Sequence, residues 1–258
     1  MSTTPAEIAS LALSVGVATA AGLVGCFAVM RRMTLAADAI SHVALPGIGV
    51  ALLLRINPLA GALATLLLGA LLVWALETQT RIATETIVGV VFSVALAVGS
   101  LMASGEELID ALFGGPTSLS APELVAGLLG AAAVIVFILK AKHRLVVSLI
   151  SPEVAATSGI AVARLDLFFL LAFALTVALG LRYLGALLMG SLIIIPAATA
   201  RRLAKSLGAM LWLSVVVAIA STVGGIYAGQ VLGRATGPLI VALAGVIFFV
   251  SLLRPSPR

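Results

Sequence analysis

Asp38 and His42 are the residues of this chain whose types and spacing point most directly to chemistry. They lie four positions apart in an apolar stretch of a sequence that is 62% hydrophobic. In a helix, this spacing places both side chains on one face. A carboxylate beside an imidazole is the raw material of a divalent-metal site or a proton relay, and an ionisable pair at membrane depth is costly unless a function retains it.

The pair alone leaves three interpretations open: a hydrogen bond that ties the helix to a neighbour, a proton relay, or a transient metal site. Two ligands are fewer than the four typical of structural zinc, but weak binding suits a site that must release its ion. A two-fold homodimer would double the ligands. The other histidine, His143, lies among Lys140, Lys142 and Arg144, and we interpret that cluster as a cytoplasmic anchor.

The composition predicts an integral membrane protein. Only 10% of the residues are charged and the mean hydropathy is +1.27, whereas a soluble domain carries roughly 25% charged residues. The long apolar runs exclude the alternating pattern of a β-barrel. We therefore predict an all-α, polytopic membrane helical bundle with residues 1–258 forming a single domain, and we find no cleavable signal peptide in its first apolar run.

Nine apolar segments are candidates for membrane-spanning helices, and the count falls to eight if one of them is re-entrant. Two of them contain a proline, Pro46 or Pro196, and carbonyls freed by proline at membrane depth are tolerated only inside protein or along a cavity. The segments cover residues 7–30, 34–54, 58–76, 86–103, 123–140, 166–182, 184–200, 208–230 and 237–253.

The basic residues predict the orientation. With the N-terminus outside and the C-terminus in the cytoplasm, all but three of the 15 Lys and Arg residues lie on the inner side, as the positive-inside rule requires. The net charge of +5 therefore reports orientation and not nucleic-acid binding. If the segment is helical and upright, His42 lies about 15 Å above Arg32, near the bilayer midplane. The inner residues are Arg31, Arg32, Arg81, Lys140, Lys142, Arg144, Arg164, Arg201, Arg202, Lys205, Arg254 and Arg258; the outer ones are Arg55, Arg182 and Arg234.

The outer loop at residues 104–122 begins with three acidic residues, Glu106, Glu107 and Asp110. One interpretation is a solvated surface turn. The other is a short gate helix over a pore mouth, whose negative charge concentrates cations as an outer funnel.

The inner loop at residues 141–165 is too polar to span the membrane and too apolar for a flexible linker. Pro152 suits the first turn of a helix with Ser151 as its N-cap, and Glu153 in that turn favours the helix dipole. Gly159 would end the helix. We predict a short helix lying beneath the membrane.

Three stretches resemble the ABC-3 family of membrane permeases, which are zinc, manganese and iron importers of the ATP-binding-cassette class. They are RRMTLAADAISHVALPGIGVALLL, YLGALLMGSLIIIPAATARRLAKS and SPEVAATSGIAVARLD. The last resembles the cytoplasmic loop that couples such permeases to their ATPase. Glu153, Ala155 and Gly159 fit the spacing of its coupling motif, although Val154 occupies the second position. Within the family, the likeness is strongest to bacterial zinc-uptake permeases.

The resemblance implies a permease subunit, not an enzyme, that works as a homodimer in the bacterial inner membrane. A separate cytoplasmic ATPase would energise it and an extracytoplasmic metal-binding protein would supply the ion. Asp38 and His42 match the family's DxxxH pair and would line the metal path. The metal would be cargo and not a resident cofactor, zinc first and manganese or iron as alternatives. The absence of a GxxxxGK[ST] loop agrees with a partner that binds the ATP.

Two other functions were weighed. A proton-coupled secondary transporter or channel for metal cations would use Asp38 and His42 as a relay. A permease for intact metal chelates would need a wider pore and no side-chain ligands, so the pair disfavours it.

Overall fold

The computed structural model describes residues 5–33, 39–80, 82–102, 120–184 and 186–253. All regular structure within these ranges is helical, which confirms the all-α prediction. The physical reason is that lipid offers no hydrogen-bond partners, so an apolar chain must satisfy its backbone within each segment. The helices are α1 (Pro5–Met30), α2 (Ala44–Leu53), α3 (Pro58–Gln79), α4 (Thr84–Met102), α5 (Ala121–Ile150), α6 (Pro152–Thr157), α7 (Val162–Leu184), α8 (Ala186–Leu203), α9 (Leu207–Leu232) and α10 (Thr236–Leu252).

Each of the nine predicted apolar segments overlaps a different one of these helices. Six helices of the described chain, α1, α3, α4, α5, α7 and α9, are long and apolar enough to cross a membrane. Two shorter apolar helices cover Ala39–Leu53 and Thr236–Leu252. The total of eight or nine spans therefore stays a prediction.

Helix α5 is longer than the sequence suggested. It continues to Ile150, so the residues from 141 to 150, expected to begin the inner loop, are helical. Its buried positions recur every three or four residues, and Ala141, Leu145 and Ser148 continue that stripe past the cluster around His143. Packing of this stripe extends the helix although its other faces become charged.

Helix α1 lies at the centre of the bundle. It contacts α5, α7, α8 and α9, and Ala18, Val24 and Phe27 on it are fully buried. A Cβ added at Gly25 would collide with the backbone carbonyl of Ile193 on α8. Glycine therefore lets α1 and α8 approach backbone to backbone, as small residues do between membrane helices.

One end of the bundle is held together by an ion pair. Nη2 of Arg31, just beyond α1, lies 2.5 Å from Oδ1 of Asp166 on α7. The guanidinium carbon of Arg31 also lies 4.6 Å from the centre of the Phe169 ring. The pair is largely shielded, with side-chain exposures of 12% and 23%, so removing one partner would leave a poorly solvated charge.

Two arginines in the last turn of α8 close the same end. Arg201 donates from Nη1 to the carbonyl oxygen of Val29 on α1 at 3.1 Å. Arg202 donates to the carbonyl oxygens of Ser251 and Leu252 at the end of α10, at 3.2 and 3.0 Å. The last carbonyls of a helix lack intrahelical donors, so these cations donate hydrogen bonds to them and interact favourably with the negative ends of the helix dipoles. Helix α8 thus ties the ends of α1 and α10 together.

Candidate metal path around His42

His42 lies directly before a break in the helix. The turn at residues 39–42 is helical, Val43 interrupts it, and α2 begins at Ala44. The amide of Val43 donates to the carbonyl of Ile40 at 3.0 Å, a tighter turn than an α-helix makes. Pro46 follows in the first turn of α2, where a proline needs no donor of its own. The irregularity lies at Val43, three residues before Pro46, and its backbone stays in the right-handed helical region. Pro196 lies inside the continuous helix α8.

The imidazole of His42 is half-buried and has an unpaired nitrogen. Its ring centre lies 5.5 Å from that of Phe92 on α4, with the rings tilted by 53°. The Nδ1 atom is buried and has no hydrogen-bond partner within the described residues. Leaving a buried polar atom unpaired costs about 1–3 kcal/mol. The same holds for Arg31 Nε, Ser221 Oγ and Thr222 Oγ1 among the described residues, but of these atoms only an imidazole nitrogen is a common metal ligand.

Glycines hold α2 tightly against α3, which runs antiparallel to it. Gly47 on α2 faces Gly61 on α3, and a Cβ on either would collide with the carbonyl of the other. Val43, directly after His42, packs onto Gly69, where an added Cβ would lie 2.8 Å from Cγ1 of Val43. The spacing of Gly61, Thr65 and Gly69 presents three small residues on one face of α3. This contact fixes the height and rotation of α2.

Helix α4 supports the other side of α2 and runs parallel to it. A Cβ at Gly99 would lie 2.8 Å from Cβ of Leu45, and one at Gly49 would lie 3.0 Å from Cβ of Met102. Phe92 and Gly99 are two turns apart on α4, so one face of that helix carries both the ring beside His42 and the close contact with α2. The sequence interpretation missed Phe92 as a neighbour of His42. The glycines at helical spacing along these helices were the sequence signal for the close packing around α2.

All of the other predicted path residues lie outside the described residues. These are Asp38, and the proposed funnel Glu106, Glu107 and Asp110. Within the described ranges, no group of three or more His, Cys, Asp or Glu residues is placed to hold a metal ion. The structure therefore positions His42 and leaves its pairing with Asp38 a prediction.

The predicted short inner helix is present as α6. Oγ of Ser151 accepts a hydrogen bond from the amide of Val154 at 3.3 Å, and Pro152 occupies the first turn. Gly159 ends the helix with a φ of +79°. Two hydrogen bonds close its end, from Gly159 to Ala156 and from Ile160 to Ala155, at 3.1 and 3.0 Å. This is a Schellman motif, in which the left-handed residue is most often glycine.

Helix α6 has an inner and an outer face. Ala155 is fully buried, whereas Glu153 is exposed. The helix contacts both α5 and α7. Glu153 and Ala155 thus lie on this short helix and Gly159 ends it, and their coupling role stays a prediction.

The comparisons with known proteins decide the family. The model of the ABC 3 transport family matches residues 5–255. The chain belongs to this family. It is therefore a multi-pass membrane transport protein and not an enzyme, as the sequence resemblance predicted.

Relatives of this ABC 3 family chain are named for two different metals. It is 31% identical over 236 residues to the high-affinity zinc uptake system membrane protein ZnuB of Haemophilus influenzae, covering 89% of this chain and 90% of the relative. It is 30% identical over 248 residues to the manganese transport system membrane protein MntC of Listeria innocua, covering 95% and 89%. A solved structure of PsaBC from Streptococcus pneumoniae in complex with Fab matches with a TM-score of 0.84, 27% identity and coverage of 98% and 93%.

Proposed function

We propose that this chain is the permease subunit of an ATP-driven importer that carries a divalent transition-metal ion, zinc in the first place, across the bacterial inner membrane. The observation that carries the proposal is the buried, unpaired Nδ1 of His42 at a helix break, in a family chain whose relatives are named for zinc and manganese uptake. Membership of an ABC transport family disfavours the alternative of a proton-coupled transporter or channel.

His42 and Asp38 would bind the passing ion briefly. Four residues separate them, and a helical turn across that spacing brings both side chains to the same face. One nitrogen and one carboxylate ligand per subunit bind weakly, which lets the ion leave again. A homodimer would offer two of each. Glu106, Glu107 and Asp110 would attract cations to the outer mouth.

Raw affinity does not decide between zinc and manganese, because sites of nitrogen and oxygen ligands generally bind zinc more strongly, and selectivity rests on geometry and metal availability. The near-equal identities to ZnuB and MntC, 31% and 30%, weigh equally for both metals. The preference for zinc therefore rests on the sequence resemblance.

The partners would be a cytoplasmic ATPase and an extracytoplasmic metal-binding protein. Helix α6 is the candidate ATPase contact, because Glu153 is exposed while Ala155 is buried, and the helix contacts both α5 and α7. A push on its exposed face would reach both long helices through these contacts. The arginine-rich end of the bundle, which carries Arg31, Arg201 and Arg202, would face the cytoplasm. The N-terminus, at the opposite end of α1, would then lie outside.

The experiment is metal accumulation by cells that depend on this importer for zinc. We expect His42→Phe and Asp38→Asn to abolish uptake, because each keeps the side-chain shape and removes a ligand. His143→Phe is the matched control, since His143 is exposed on α5, and it should retain uptake. Co-purification of the ATPase with each variant shows that the subunit assembles. Normal uptake by His42→Phe would overturn the metal path.

A further inference from the structure

A cleft between α5 and α7 carries three cations that no described residue neutralises. It has a volume of about 510 Å³ and includes Lys140, Arg144 and Arg164 among its lining residues. All three side chains are exposed. No acidic residue lines the cleft, and within the described ranges the ion pair is made elsewhere, between Arg31 and Asp166. We refer to it as the basic cleft.

The charged and the aromatic residues of the basic cleft lie at different depths. Phe137, Lys140 and Arg144 follow one face of α5 at helical spacing, and Arg164 and Phe168 follow one face of α7 in the opposite chain direction. Both helices therefore place their cations toward the arginine-rich end of the bundle and their aromatic rings toward its middle. The two rings lie 6.3 Å apart, and Phe168 is 56% exposed.

This order matches an anionic phospholipid. Its phosphate would lie among cations at the membrane surface, and its first acyl carbons would cover the exposed ring of Phe168 and the half-buried ring of Phe137. Clefts with basic side chains between membrane helices suit anionic headgroups on the cytoplasmic side. A soluble phosphate would use the cations and leave the two rings uncovered.

We propose that the basic cleft binds an anionic phospholipid of the cytoplasmic leaflet, with its phosphate at Lys140, Arg144 and Arg164 and its acyl chains against Phe137 and Phe168. The cleft is also lined by Ser158 and Gly159, which directly follow α6. A bound lipid would thus brace the end of α6 against α5 and α7. The inference rests on the proposed orientation but not on metal transport.

The test is native mass spectrometry of the purified chain, without partner proteins, titrated with phosphatidylglycerol or phosphatidylcholine. The cleft variant is Arg144→Gln with Arg164→Gln. The matched control is Lys205→Gln with Arg234→Gln, which removes two exposed cations elsewhere. We expect phosphatidylglycerol to bind more tightly than phosphatidylcholine. The cleft variant should weaken it about thirtyfold, from roughly fivefold for each cation near an anionic headgroup, and the control less than about twofold.

Further measurements distinguish a bound lipid from a soluble phosphate and from a protein partner. Soluble glycerol phosphate should not displace the lipid, and Phe168→Ser should weaken lipid binding. Equal binding of the two lipids by the unaltered chain overturns the proposal whether or not the variants fold. So does a cleft variant that keeps its lipid but no longer co-purifies with the ATPase, because the cleft would then be a protein contact. Loss of metal uptake in any variant has no bearing on this readout, so the two proposals fail separately.

Discussion

Gly61→Ala should disturb the element that positions His42. An added Cβ at Gly61 would lie 2.7 Å from Cβ of Ala51 and 2.9 Å from the carbonyl carbon of Gly47, and closer still to its oxygen. Ordinary contacts of a Cβ begin at 3.4 Å. The obstacle is backbone, which cannot rotate away, so α2 and α3 must separate.

The magnitude follows from two opposing terms. Overpacking a close contact costs about 1–3 kcal/mol. Alanine in place of a helical glycine returns roughly 0.5–1 kcal/mol through its lower backbone entropy. We therefore expect Gly61→Ala to lose about 1–2 kcal/mol of unfolding free energy, and metal uptake to fall because His42 moves with α2 relative to Phe92.

Gly89→Ala on α4 is the matched control. Nothing lies within 4 Å of a Cβ added there, so only the helix-propensity term remains and the variant should gain about 0.5–1 kcal/mol. The assay is thermal or denaturant unfolding of both variants in detergent, followed by metal uptake. A Gly61→Ala protein that is as stable and as active as Gly89→Ala would refute the packing argument.

Four further variants each change one residue. Arg202→Gln should lower the unfolding free energy by about 1–2 kcal/mol, because the carbonyls at the end of α10 lose charged donors. Amide hydrogen exchange in the last turn of α10 should become faster, and unchanged exchange would contradict this prediction. Arg55→Gly should raise the midpoint of unfolding slightly, since Arg55 has a φ of +54°. Relief of the left-handed conformation returns about 1–2 kcal/mol, and the greater backbone entropy of glycine takes back about 0.5–1 kcal/mol; a lower midpoint would count against that reading. Glu153→Arg should uncouple ATP hydrolysis from zinc uptake and leave helix α6 intact, whereas Ser151→Ala should destabilise α6 by about 1 kcal/mol. Hydrogen exchange of α6 and ATPase assays with the metal-binding protein distinguish the two effects. If the binding protein still stimulates the ATPase fully in Glu153→Arg, Glu153 has no coupling role.

The sequence predicts the helices well because their cause is local. Long apolar runs must be helical in lipid, and Ser151, Pro152 and Gly159 define the start and end of α6 by their own side chains and backbone preference. The same logic located the break near Pro46. It erred at α5, where a buried stripe carries the helix through a charged region to Ile150.

The surroundings of the site could not be predicted from the sequence, because they depend on contacts between distant segments. His42 and Phe92 lie 50 positions apart in the printed sequence, and nothing in either segment pairs them. Arg31 and Asp166 lie 135 positions apart, and nothing in the sequence pairs them before the end of α1 meets the start of α7. The glycines of α2 and α3 were visible as small residues, but their partners were not. Asp38 lies outside the described residues, so its part in the site still rests on spacing and on family resemblance.

The most direct test of the central claim is zinc uptake by the purified permease reconstituted in proteoliposomes with its ATPase and metal-binding protein. We predict uptake that requires ATP and both partners, that excess manganese inhibits less than excess unlabelled zinc, and that His42→Phe abolishes. Zinc uptake by the permease alone, driven by a proton gradient and unaffected by ATP, would contradict the account.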